Sequence, residues 1–194
     1  MILNWIQNNP LLIGILFLAL IVRVAGVSYG LPLMLVDDEP PFVLAALKMI
    51  ELKTVLPILQ PESFAVLYYP PYLAYLYLFP FVALLAAKYV LWSGSMAHFT
   101  AYLLTDLSSF FITGRLFNIV LGVVSVYLIS VAGERLFKSR NAGLAAAFLL
   151  ATSLLHTSLS SVARHWIPVS FLFLVTLWIL SRTEWTAEKR LSVA

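Results

Sequence analysis

The chain has 194 residues, 62% of them hydrophobic and 11% charged, with a net charge of only +3 and a mean hydropathy of +0.96. A soluble domain is about half apolar, so the composition excludes one and points to an all-α integral membrane protein, a single membrane domain over residues 1–194. The absence of cysteine excludes disulfides and thiolate metal sites, the thinly spread charge excludes a nucleic-acid partner, and three histidines without HExxH-like spacing give no sequence signal for a metal.

Leu11 to Val27 is the first predicted span. No Lys or Arg precedes it, which argues against a cleaved signal peptide with a basic start. Arg23 lies inside it, close enough to its end to be read as a side chain that snorkels to the interface. Residues 28–114 form a long mixed region that opens with "YGLPLMLVDDEPP", three acidic residues placed just where a membrane helix has ended. From Pro41 to about Thr54, apolar residues mix with Lys48, Glu51 and Lys53, the pattern of an interfacial helix with proline in its first turn. Next comes "LPILQPESFAVLYYPPYLAYLYLFPFVALLAAKYVLW", punctuated by Pro57, Pro61, Pro70, Pro71 and Pro80 and crowded with the aromatic residues of a membrane interface. Leu116 to Leu136 is a clean span preceded by Arg115. Ala142 to Val162 is another, and Ile167 to Leu180 the last, continuing towards Arg182.

Tyr72 to Trp92 decides the count. If it lies at the interface or re-enters there are about four transmembrane helices; if it crosses there are five. Arg135, Lys138 and Arg140 form one basic cluster, and Arg182, Lys189 and Arg190 another, two spans later. The two therefore share a side, the cytoplasmic one by the positive-inside rule. Four spans leave the whole of residues 28–114 as a long external first loop carrying juxtamembrane helices, and Lys88 and the prolines favour that count. Asp37, Asp38, Glu39, Tyr69, Arg115, Arg164 and His165 then share one external face.

Carboxylates beside a membrane, near several cations, suit one kind of chemistry. A carboxylate takes a proton from an attacking hydroxyl or amine, a cation neutralises a departing phosphate, and the bilayer holds a lipid carrier's tail. A plainer account reads "DDE" as a solvated loop or as charge favouring the positive end of the following helix. For Arg115 the plainer account is interfacial snorkelling, for Arg164, His165 and Trp166 a polar-aromatic belt, and for His156 a hydrogen-bonded histidine packed between helices.

The order first span, "YGLP", "DE", "YPP", an Arg opening the next span, a basic turn, and an alanine-rich span ending in serines resembles the GT-C superfamily of polyprenyl-phosphate-dependent glycosyltransferases, in particular family 39, with its protein O-mannosyltransferases and aminoarabinose transferases. The resemblance runs from about Ile21 to Arg182 and corresponds to the N-terminal part of such an enzyme. It implies inverting transfer of a sugar from a polyprenyl-phosphate donor to a protein, lipid or glycan acceptor on the extracytoplasmic face of the cell membrane. It also implies Asp38 as general base, Glu39 as its support, Tyr69 of "YPP" shaping the site, and Arg115 as partner of the lipid phosphate; Arg164 and His165 are this chain's own candidates for substrate contact, where it departs from the family. Many relatives carry an Asp where this chain has Trp166. The resemblance identifies no cofactor and leaves dependence on a divalent metal open. The alternatives are a non-catalytic lipid-binding or assembly protein of the same fold, a truncated inactive fragment and, third, a transporter, for which the spans supply no acidic residue short of Glu134, at the very end of the one from Leu116.

Overall fold

Backbone in or beside a bilayer has to satisfy its own N–H and C=O groups, so the apolar runs become helices. The computed structural model describes residues 9–36, 38–60 and 72–182. In chain order these form α1 (Pro10–Val24), α2 (Pro40–Glu51), a short 3-10 turn (Pro57–Leu59), α3 (Tyr72–Val90), α4 (Met96–Thr105), α5 (Ser108–Phe137), α6 (Arg140–Thr152), α7 (Leu154–Ser160) and α8 (Trp166–Leu180), with no strand among the described residues. Two helices, α3 and α5, are long and apolar enough to cross a membrane, and a third crossing is available if α6 and α7 act as one span bent by 60°. Both α1 and α8 are apolar but shorter, at 15 residues each. The described residues are thus all-helical, with two or three helices able to span a membrane, as a helical membrane protein requires.

The organising element is α5. Its 30 residues reach about 45 Å, well beyond the roughly 30 Å of a hydrocarbon core, and its two ends serve different neighbours. Its first turns, with Phe110 and Phe111, close a core with Phe42, Val43 and Met49 of α2 and Leu73, Tyr77 and Phe81 of α3. Further along, Val126 joins Leu12 and Ala19 of α1 and Ala147 and Ala151 of α6 in a second core. Close approach in the second layer depends on small residues: a Cβ on Gly143 would stand 2.5 Å from the Ser130 carbonyl oxygen. The joint between α5 and α6 is made by Lys138 in the left-handed region (φ 49°) and by Ser139, whose hydroxyl accepts from the Ala142 N–H as an N-cap.

Several sequence expectations change here. The segment from Tyr72 is one helix running through Pro80, so the prolines do not interrupt it, and its length and composition permit a crossing. Conversely, the expected span from Ala142 to Val162 is broken. Ser153 leaves the helical region (ψ 115°) and its hydroxyl caps the next helix by accepting from the His156 N–H, which turns α7 away from α6. The helix expected from Leu116 begins at Ser108, and α4 is an addition.

Candidate functional site

The site lies where the two cores meet, around the loop between α1 and α2 and the loop between α7 and α8. Arg115, two turns into α5, has no exposed surface, and neither has Glu39, at the N-terminus of α2. They form a bidentate pair: Arg115 Nε donates to Glu39 Oε1 at 2.7 Å and Nη2 to Oε2 at 2.5 Å. This fork-to-fork geometry is the strongest an Arg and a carboxylate make. The other guanidinium nitrogen, Nη1, donates to the carbonyls of Val27 (2.7 Å) and Tyr29 (2.8 Å). Glu39 Oε1 also accepts from the backbone N–H of Ala163 at 2.6 Å. One buried ion pair thus ties α5, the first loop, the start of α2 and the α7–α8 loop together.

Asn118, one turn further along the same face of α5, fixes the α7–α8 loop a second time. Its Nδ2 donates to the carbonyls of Val162 (2.7 Å) and Arg164 (2.9 Å). With its backbone held on both sides, Arg164 reaches across and donates to Asp38 Oδ2 at 3.0 Å. This pair differs from the one beneath it, because the Asp38 side chain is 47% exposed. Asp38 sits in the left-handed region (φ 59°), which Asp tolerates better than most residues, and this backbone sends Asp38 outward while its neighbour Glu39 turns inward.

His165 completes the cluster. Its ring packs on Phe42 and Trp166, with centroids 5.3 Å and 4.4 Å away. Burial, and then the neighbouring Arg164, push its pKa below the ordinary value, against an opposing pull from Asp38. The Tyr72 hydroxyl donates to the His165 carbonyl at 3.5 Å. Of the residues named from the sequence, Asp38, Glu39, Arg115, Arg164 and His165 come together. Tyr69 and Asp37 lie outside the described residues. No three His, Asp or Glu side chains gather in a way that would hold a metal ion among the described residues.

Arg115 does not snorkel; it is enclosed. Arg23 is likewise fully buried and turns inward from α1. Nη1 donates to the Ala19 (2.9 Å) and Ala151 (3.2 Å) carbonyls and Nη2 to the Leu150 carbonyl (3.3 Å). Nε donates to Ser160 Oγ at 3.3 Å, and Nη2 meets His156 Nδ1 at 2.8 Å. The guanidinium thus satisfies carbonyls that the break at Ser153 frees at the end of α6, and it meets the negative end of that helix. The reading of His156 as a hydrogen-bonded histidine between helices holds, but sequence reasoning missed Asn118 and the inward turn of Arg23 that supplies the partner of His156. The available signals were a polar residue three positions after Arg115 in an apolar helix, and an Arg and a His inside separate spans.

The chain matches no protein-family model, no curated protein and no solved structure.

Proposed function

We propose that the chain is the catalytic end of a membrane glycosyltransferase that moves a sugar from a polyprenyl phosphate to an extracytoplasmic acceptor. The observation that carries this reading is the two-tier acidic site. A half-exposed carboxylate, Asp38, stands beside a partly exposed cation, Arg164, on a floor made rigid by the buried Glu39–Arg115 pair. In the reaction the acceptor oxygen attacks the anomeric carbon as its proton passes to Asp38. The bond from that carbon to the phosphate oxygen breaks, and the electron pair leaves with the lipid phosphate. Arg164 is the cation placed to meet that charge, whereas Arg115, with Nε and both Nη atoms engaged, positions the site instead of touching substrate.

The topology of this reading has four spans. The part of α5 beyond one membrane thickness is the part on which α2 and α3 pack, which supports placing α3 at or above the interface. Arg140, whose Nη2 donates to Asn9 Oδ1 at 3.3 Å, then marks the cytoplasmic end of the bundle. A second reading, a non-catalytic lipid-binding or assembly protein, draws support from the saturation of Arg115. The test is sugar transfer in proteoliposomes with a panel of polyprenyl-phosphate sugars, comparing the wild type with Asp38→Asn. Transfer by the wild type and its loss in the variant are expected. Absence of transfer with every donor, or full activity in the variant, overturns the reading in favour of the second.

A further inference from the structure

A groove of about 440 Å³ opens between α7 and α8, lined mainly by Leu155, Leu159, Trp166, Ile167 and Phe173. His156 is one of its lining residues. The histidine is buried, and its Nδ1 faces Arg23 Nη2 at 2.8 Å. A guanidinium can only donate, so Nδ1 accepts, the ring is neutral, and its proton is on Nε2. That N–H is buried and has no hydrogen-bond partner among the described residues. An unmet donor is costly in hydrocarbon, where no water compensates it. Ser170 and Ser153 also line the groove.

The depth narrows the choice of partner. His156 is four residues before the end of α7 at Ser160, roughly 6 Å along the helix axis, and the half-exposed Trp166 in the same groove is the residue type that marks a membrane interface. At that level a bilayer offers the ester carbonyls of its glycerolipids, each continuing into an acyl chain. We propose that this groove seats one acyl chain of a glycerolipid, whose ester carbonyl oxygen accepts a hydrogen bond from His156 Nε2–H. The ligand is a neutral acceptor attached to a long apolar chain. Arg23, behind the ring, polarises the imidazole and strengthens it as a donor. The site is separate from Asp38 and stands whether or not the chain transfers sugar.

The experiment uses the full chain, with ¹⁵N-labelled histidine, in nanodiscs of phosphatidylcholine carrying ¹³C at the ester carbonyls. A magnetic-resonance contact between His156 Nε2 and a lipid carbonyl is expected, and its loss in His156→Phe assigns it. Since that variant also removes a bond to Arg23, Ser170→Trp serves as the second: it fills the groove and leaves the Arg23–His156 bond in place, and it is expected to abolish the contact. In a competition read by native mass spectrometry, the ester lipid is expected to be retained roughly tenfold over its ether-linked counterpart, which has the same chains and no carbonyl. A contact from Nε2–H to water alone, equal retention of ether and ester lipids, displacement by a polyprenyl phosphate, or persistence of the contact in Ser170→Trp each overturns the proposal.

Discussion

Replacing Glu39 with glutamine separates the charge of the buried pair from its shape. Glutamine retains one oxygen, which can still accept from Arg115 Nε and the Ala163 N–H, but it turns an amide towards Arg115 Nη2, donor against donor. The guanidinium is left without a counter-charge in a place with no exposed surface. Breaking a buried pair from one side costs about 3–5 kcal/mol, whereas an exposed pair is worth about 0–1 kcal/mol. At about 1.4 kcal/mol per decade, the unfolding equilibrium of Glu39→Gln is expected to shift by roughly two to three and a half orders of magnitude. Arg115→Met is expected to cost as much, since it strands the Glu39 carboxylate and removes the donor to the Val27 and Tyr29 carbonyls. The double variant removes both charges and leaves only those neutral groups unmet, so the two losses should overlap by about 2–3 kcal/mol. The assay is reversible unfolding by denaturing detergent in mixed micelles, followed by tryptophan fluorescence and circular dichroism. A loss below about 1 kcal/mol in Glu39→Gln, or strict additivity in the double variant, would mean that the pair is solvated and that the loops are held by something else.

In a catalytically competent preparation, Asp38→Asn should lower turnover by roughly 10²–10⁴-fold, the usual contribution of a general base, with donor binding preserved and Asp37→Asn nearly silent; equal losses in the two would remove Asp38 from its role. Gly122→Ala should lower stability by about 1–3 kcal/mol as an overpacking change, because its Cβ would lie 2.6 Å from Ser160 Oγ and 3.2 Å from Arg23 Nε; an unchanged melting temperature would contradict the tight fit of Arg23 against α5. His165 has a folded pKa depressed from 6.5, so the unfolded chain binds its proton first as the medium is acidified. Its contribution to stability is therefore complete above about pH 6.5 and is lost as the pH falls from there through the depressed value. Melting curves of wild type and His165→Phe should converge over that interval, and parallel curves would show that the ring is not held neutral. Single cysteines at Glu62 and Ser95 should both react with an impermeant thiol reagent from outside; reaction of only one would mean that α3 crosses the membrane.

The helices were legible because burial in lipid and helix formation demand the same apolar runs, and α2, opened by Pro40 and Pro41, ended within three residues of its expected limit. The break at Ser153 was not legible as a break. A serine in an apolar run is compatible with a continuous helix, and what makes this one a cap is that Arg23, 130 positions earlier in the sequence, arrives to take the carbonyls that the cap releases. Pro80 misled in the opposite direction. Proline removes one N–H and crowds one carbonyl, but Tyr77 and Phe81 on the same helix are fully buried against α2 and α5, and that packing holds the helix through it.

The acidic triplet shows the same limit within the site. Sequence order alone treats Asp38 and Glu39 as adjacent members of one exposed motif. The left-handed backbone at Asp38 and the helix start at Pro40 send the two carboxylates in opposite directions, one to a half-exposed pair with Arg164 and one to the interior with Arg115. Such a division needs two cations from distant parts of the chain at the right heights. Arg115 comes from α5, and Arg164 comes from a loop that Asn118, also on α5, holds by its carbonyls. Proton transfer at an exposed carboxylate and rigidity from an enclosed one are incompatible demands on a single residue, because the first needs access and the second excludes it. On the proposed function, two neighbouring acids facing opposite ways meet both demands, and variants at Asp38 and Glu39 should therefore separate activity from stability.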